Sequence, residues 1–279
     1  GGHSGWQMSF ETIGGSYQAG PWHMDKLWHL RDKDQAAWIV PPIAHLAVGP
    51  AGLAYYPGLG LPERYQNHFF LCDFAVTPQG SGIRTFSLAP QGAGFELLQQ
   101  SDLVTNMVPT DVEFGYDGKM YVSDWVGGWR ASGGGRIYTF FDPKQQGSDL
   151  LQQTASLSRE SLSKRSIEEL VGLLQHQDLR VRQRAQFALA ERGSVALDDL
   201  ARVALHENHR LARLHAIWGL GIIGDSDRTA LETLVSLLND DDAEVRAQVA
   251  KVLGETRYTE AAELLLERLQ DESPRVRFF

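Results

Sequence analysis

The sequence predicts a multidomain β-then-α protein: the C-terminal part of a β-propeller followed by an α-solenoid of short helical repeats. Three observations carry this. Residues 1–143 are rich in glycine, proline and aromatics, and their short alternating runs are divided by turn residues, as in an all-β region. Residues 144–164, "KQQGSDLLQQTASLSRESLSK", are polar and without period, and read as a linker. From residue 165 to 279 the apolar positions recur at helical spacing.

The strands come in two matching sets. Predicted strands are 52–56, 68–74, 82–88 and 94–99, then 109–115, 119–125 and 135–141. In "PTDVEFGYDGKMYVSDWVGGW" an alternating run enters Asp-Gly and a second run leaves it, the pattern of two strands and a tight turn. "HFFLCDF" aligns with "KMYVSDW", placing Asp73 on Asp124, and "SGIRTFSL" aligns with "GGRIYTFF", placing Ile83 on Ile137. The offsets, 51 and 54 residues, are the length of a four-stranded propeller blade. The second set lacks its fourth strand, so the missing strand and further blades are expected upstream.

The helical repeats are marked by Arg182, Arg213, Arg246 and Arg277, spaced 31, 33 and 31 residues apart. Each follows a small apolar residue: Val181, Ala212, Val245 and Val276. Val181, Ala185, Ala188 and Leu189 form an i, i+4, i+7, i+8 stripe, and Val245, Val249, Val252 and Leu253 form another, so both are buried helix faces. Asp178, Asp242 and Ser273 stand four residues before their arginines as helix caps, with Pro274 in the first helical position. Gly193 and Gly224 stop helices. His209 stands where the other units have a cap, so a different turn is expected there. The Thr-Pro-Leu-His turn of ankyrin and the Trp/Tyr pattern of tetratricopeptide repeats are absent. "DLRVRQRAQFALAERG" and "DAEVRAQVAKVLGE" resemble HEAT repeats of the short kind.

The strand sequences carry a second resemblance. "PTDVEFGYDGKMYVSDWVGGW", "GGGRIYTFFDP", "GPAGLAYYPGLGLPERYQNHFFLCDF" and "SGIRTFSLAPQGAGFELL" resemble the last blades of glucose/sorbosone dehydrogenase-like propellers. With the helical repeats behind them, they look like the PVC-type haem-binding, membrane-bound dehydrogenase-like proteins. The resemblance implies a propeller, then HEAT-like repeats, then a c-type haem domain. It implies an oxidoreductase that oxidises a sugar- or alcohol-like substrate and passes electrons to that haem, with a quinone cofactor in the propeller and a periplasmic or cell-envelope location. The early blades that carry the catalytic histidine and the haem motif Cys-x-x-Cys-His are not in this sequence, so no catalytic residue is transferred. The chain is expected to be a piece cut at both ends and inactive alone. The alternative is a non-enzymatic scaffold, with the propeller mouth binding carbohydrate or protein and a partner docked on the concave face of the repeats.

Composition narrows the classes. A net charge of −9 with no basic face disfavours nucleic acid. No apolar run approaches the roughly 20 residues needed to span a bilayer. Cys72 is the one cysteine, which excludes an intrachain disulfide and a Cys-Cys zinc site. No signal peptide opens the sequence.

Candidate binding residues lie at matched strand ends. Asp111 opens an inner strand, Asp73 and Asp124 end the equivalent second strands, and Arg84 and Arg136 sit on the third strands. At a propeller mouth such groups could hold a polar substrate, a cation or an anionic cofactor. Repeated aspartates can instead bond backbone amides in blade turns. Trp125 and Trp129 could stack on a sugar or cofactor, or cap a blade edge. His45 is a candidate acid-base group or a structural histidine. His206, His209 and His215 cluster in sequence, but "HENH" lacks the spacing of a zinc-protease helix, and no metal site is expected. Asp240–Asp242 lack calcium-loop spacing, and Gly133–Gly135 lack the strand–helix context of a phosphate loop.

Overall fold

The computed structural model describes residues 43, 44, 46–127 and 133–279. His45 and Trp129 lie outside the described residues. Among the described residues, seven strands form two antiparallel sheets. The first has β1 (Pro50–Tyr55), β2 (His68–Asp73), β3 (Gly82–Gln91) and β4 (Gly94–Thr105), in that order. The second has β5 (Pro109–Phe114), β6 (Met120–Asp124) and β7 (Arg136–Phe140). Sequence order and spatial order coincide in both sheets, as expected where each strand pairs with the next in the chain. The β5–β6 turn is closed by the Gly115 amide on the Lys119 carbonyl (2.8 Å), with Gly118 at a φ of 76° as the Asp-Gly sequence requires.

The two sheets repeat one another in detail. Pro50 pairs with Asp73 and Pro109 with Asp124, and each pairing is followed by a register shift, before Leu53 in one sheet and before Asp111 in the other. The Phe74 amide bonds the Gly49 carbonyl as the Trp125 amide bonds the Val108 carbonyl. The sheets pack face to face through β1 and β5. A Cβ at Gly52 would stand 2.6 Å from the Asp111 Cα, so only glycine admits the approach. Ala54, Tyr56, Phe70, Cys72, Ile83, Val112, Phe114, Met120 and Val122 fill the space between. Alternation places them there: β6 is buried at Met120, Val122 and Asp124 and half-buried between.

The helices are α1 (Asp149–Arg159), α2 (Ile167–Leu173), α3 (Leu179–Ala190), α4 (Leu197–His206), α5 (Arg210–Gly224), α6 (Thr229–Ser236), α7 (Ala243–Glu255), α8 (Ala262–Arg268) and α9 (Pro274–Phe278). From α2 onward they form successive pairs over one continuous apolar core. Val181, Ala212, Val245 and Val276 are all buried, as the repeat predicts. Asp178 and Asp242 cap α3 and α7 through side-chain oxygens. His209 performs the same task for α5, its Nδ1 accepting the Ala212 amide (3.2 Å), so the turn keeps its role with a different side chain. Gly193 takes the left-handed conformation of a helix stop, φ 59°. Gly224 instead remains helical, and its need is packing: a Cβ would meet the Leu231 side chain at 2.4 Å.

The segment read as a linker contains α1. Ser148 caps it, and Leu151, Thr154 and Leu157 form its buried stripe. Thr154 hid the apolar period. Its hydroxyl is satisfied by the Leu150 carbonyl one turn back (2.7 Å), which lets it sit buried among leucines. Leu157 joins the helical core, while Leu151 packs at Gly118 in the β5–β6 turn.

Sheets and helices are bonded together where α3 begins. The Leu179 amide donates to the Pro57 carbonyl (2.9 Å), and the Gln177 side chain donates to the Gly58 carbonyl (2.9 Å). Arg180 reaches the β5–β6 turn, donating to the carbonyls of Phe114 (2.5 Å) and Gly115 (3.2 Å) with its guanidinium 4.0 Å over the Tyr116 ring.

Candidate functional site

The repeated aspartates hold the strand ends. Asp73 is 1% exposed, and its Oδ1 accepts the amides of Val48 (2.9 Å) and Gly49 (3.0 Å). Asp124 accepts the amides of Val108 (3.0 Å) and Val126 (2.9 Å) through one oxygen. Val126 sits at a φ of 56°, costly for a β-branched residue, and the Asp124 bond pins it. Both carboxylates, each at the end of its sheet's second strand, thus hold the segment that enters the first strand.

The remaining sheet residues divide. Arg84 pairs with Asp73 (3.1 Å) and with Asp102 on β4 (2.5 Å). Arg136 lies opposite Asp124 in the β6–β7 register, while Arg84 lies opposite Leu71, so the two arginines are not equivalent positions. Arg136 is exposed and bonds the Tyr138 hydroxyl (2.9 Å). Asp111 is exposed on β5, its carboxylate folded back on the Val112 amide (2.9 Å). Trp125 stacks on Phe74 across the two sheets, centroids 5.7 Å apart. The structure therefore brings Asp73, Arg84 and Asp102 into one ion-paired group and keeps Asp111 and Arg136 in separate local bonds. Cys72 is fully buried on β2, and burial, with the Asp111 charge adding, pushes its thiol up to about 12. It is a packed, protonated side chain rather than a nucleophile.

In the helical part, the sequence cluster of histidines is dispersed. His206 ends α4, His209 caps α5, and His215 is buried inside α5. His215 Nδ1 lies 2.7 Å from Gln186 Oε1 on α3, and Trp218 Nε1 donates to Gln248 on α7 (3.0 Å), so a polar seam runs across three helices. Burial, then the charge of Arg182 and His209, pulls the His215 pKa down to about 4. Among the described residues no group of His, Cys, Asp and Glu could hold a metal ion. Asp240 and Asp242 act in the turn before α7: Asp240 pairs with Arg213, and Asp242 caps.

A concavity not foreseen from the sequence lies at the sheet–helix junction. It is a cleft of about 730 Å³ between the β1–β2 loop and the starts of α3 and α5, with Tyr55, Gln66, His176, Arg182, His209 and Leu211 on its walls. Its size is that of a small-molecule site. One signal was present in the sequence. His176 stands two residues before a helix cap, where the later units carry Glu207, Asp240 and Asp271.

Two outcomes follow. Asp124→Ala leaves two amides unmet beside a strained valine and is expected to cost about 2–3 kcal/mol, whereas Asp124→Asn keeps the accepting oxygen and loses less than half of that. Denaturant midpoints check this, and equal losses for the two variants would contradict the assigned role. His215 is held neutral in the fold while the unfolded chain binds a proton near pH 6.5, so its contribution is complete above that pH and is lost as pH falls towards about 4. The full swing is roughly 3 kcal/mol. The gap in melting temperature between wild type and His215→Asn should shrink across that window; a gap constant from pH 7 to 4.5 would refute the assignment.

Comparison with known families places one region. A family model for HEAT repeats matches residues 204–278, which covers α5 to α9 and the end of α4. No curated protein matches the chain. Residues 204–278 are thus similar to HEAT repeats, and they follow two packed antiparallel sheets.

Proposed function

We propose that this chain is the junction of a larger oxidoreductase, the stretch where a propeller passes into its helical array. In this reading the two sheets, with further blades, form a propeller that oxidises a sugar- or alcohol-like substrate, and electrons pass to a c-type haem domain outside this chain, in the periplasm or cell envelope. The resemblance of "PTDVEFGYDGKMYVSDWVGGW" and its companion stretches supports it, as does the order of sheets followed by HEAT repeats. The observation that carries it is the bonded junction. Arg180, Gln177 and Leu179 fix α3 to the blade loops, which would keep an oxidising domain and a haem domain at a set separation.

The residues present do not fit the haem itself. Two thioether links need two cysteines, and the chain has one, Cys72, buried and protonated. No step of electron transfer or quinone chemistry is assigned to this chain's own side chains. Its share of the work is to hold geometry and to offer the helical array as a docking surface; HEAT repeats commonly mediate protein interactions.

A non-enzymatic scaffold is the second reading, and a specific observation favours it. Asp73, Asp124 and Arg84, the best-placed polar groups of the sheets, are engaged in amide bonds and ion pairs. A scaffold would bind carbohydrate or protein at the blade loops and a protein partner along the concave face of the helices.

One experiment separates the two. The longer coding region containing this chain is expressed and its reduced-minus-oxidised visible spectrum recorded. The oxidoreductase reading expects the bands of a c-type haem and reduction of that haem by a sugar or alcohol in a substrate screen. A folded protein with neither chromophore nor haem motif would leave the scaffold, and pull-downs and glycan binding would follow.

A further inference from the structure

The second helices of successive units, α3, α5 and α7, pack side by side, and near their C-terminal ends one row breaks the repeat. Ile222 on α5 stands where the end of α3 has Glu191, 31 residues earlier, and α7 has Glu255, 33 residues later. Both glutamates are exposed, and so is Ile222, at 43%. One turn back, Trp218 stands at the position of Phe187 on α3, which is 46% exposed. A single surface isoleucine needs no explanation, but this one borders a groove.

The groove lies between α5 and α7 and has a volume of about 350 Å³. Trp218, Ile222 and Val252 give it apolar walls. Gly221 lines it too, and a Cβ there would stand 2.7 Å from Val252 Cγ1, so glycine lets the two helices close on each other. The indole is held in place by the protein itself. Its Nε1 donates to Gln248 (3.0 Å), and its ring meets His215 edge-on with centroids 5.1 Å apart. Gln248 is buried and donates in turn to Glu244 (2.8 Å). A wall fixed in this way loses little side-chain entropy when something binds to it.

The lining is acidic. Among the described residues its charged members are Asp225 and Glu255, with no lysine or arginine beside them. The cations of the neighbourhood do not line it. Lys251 approaches Glu255 only to 3.9 Å, an exposed pair of little strength. Arg228 is held by the carbonyls of Thr256 (2.8 Å) and Arg257 (3.1 Å), and Arg257 follows in the turn. The helices add to the negative potential, since α5 ends at Gly224 and α7 at Glu255, and the carbonyls of a helix end carry partial negative charge. Apolar walls beside two carboxylates and two helix ends match an apolar side chain with a cation next to it.

We propose that this groove docks a peptide segment of a protein partner, in which an apolar side chain enters beside Trp218, Ile222 and Val252 and a neighbouring lysine or arginine meets Asp225 and Glu255. The proposal rests on the docking role given above to the helical array, and it gives that role a place and a partner chemistry. It is independent of the haem reading, because it uses the helices alone.

The test is fluorescence anisotropy on the 279-residue chain with short labelled peptides. One alternates leucine and lysine, a second has serine in place of leucine, and a third has glutamate in place of lysine. The first should bind and the other two should not. Ile222→Ser, at an exposed position, should keep the fold and weaken binding about tenfold, the worth of one side-chain contact. Asp225→Lys should weaken it about tenfold or more. Glu263→Lys makes the same change in net charge at an exposed position of α8 and should leave binding unchanged. The proposal is overturned if the leucine–lysine peptide does not bind, if either control peptide binds as well, or if Asp225→Lys weakens binding no more than Glu263→Lys. Binding that survives both Ile222→Ser and Asp225→Lys would refute this groove while leaving the docking role to another part of the array.

Discussion

The buried carboxylate of Asp178 is the point at which the two halves of this molecule are joined. Its side chain is 0% exposed, and a charge so placed must be paired. Arg180 pairs it (2.7 Å), and the Arg180 amide satisfies its other oxygen (2.8 Å) as the helix cap. With its charge balanced, the guanidinium can enter the β5–β6 turn and meet two backbone carbonyls and the face of Tyr116. The same group therefore starts α3, neutralises Arg180 and seats the helices on the sheets. The cleft exists because this contact fixes the start of α3 beside the β1–β2 loop.

The helical array shows how a repeated position is put to a local use. Asp242, the equivalent cap of α7, keeps a side chain 31% exposed and points into an ordinary turn. Asp178 has the same capping bond, but it is fully buried and is paired with Arg180 of its own helix. Arginine behaves alike. In the interior of the array it is matched by the next unit's carboxylate, and at the junction that match is absent. Arg182 departs from the others because the next unit's Glu207 bonds its own turn and Gln175 instead.

Much of this architecture was legible in the sequence. All seven described strands begin within two residues of their predicted start, because alternation and the Asp-Gly turn are strong local signals. β4 runs on to Thr105, six residues past Gln99, since an exposed outer strand has no buried face to enforce alternation. The paired helices follow from the Val-Arg spacing and the capping aspartates. α1 was hidden by Thr154, whose buried hydroxyl is paid for by a bond one turn back. The sheet-end aspartates were found by their repetition, and that repetition reflects a shared turn geometry. The junction was not legible: Arg180 and Phe114 are 66 residues apart, and nothing local distinguishes Arg180 from the other arginines of the array.

The account stands on sheets and helices forming one body through Arg180. Hydrogen exchange read by mass spectrometry, on wild type and Arg180→Ala, tests this most directly. The account predicts that residues 57–61, residues 114–118 and the first turn of α3 lose protection together in the variant, while α7 keeps its own. Unchanged protection of the sheet loops, with loosening confined to α3, would show that the two halves are held by something else.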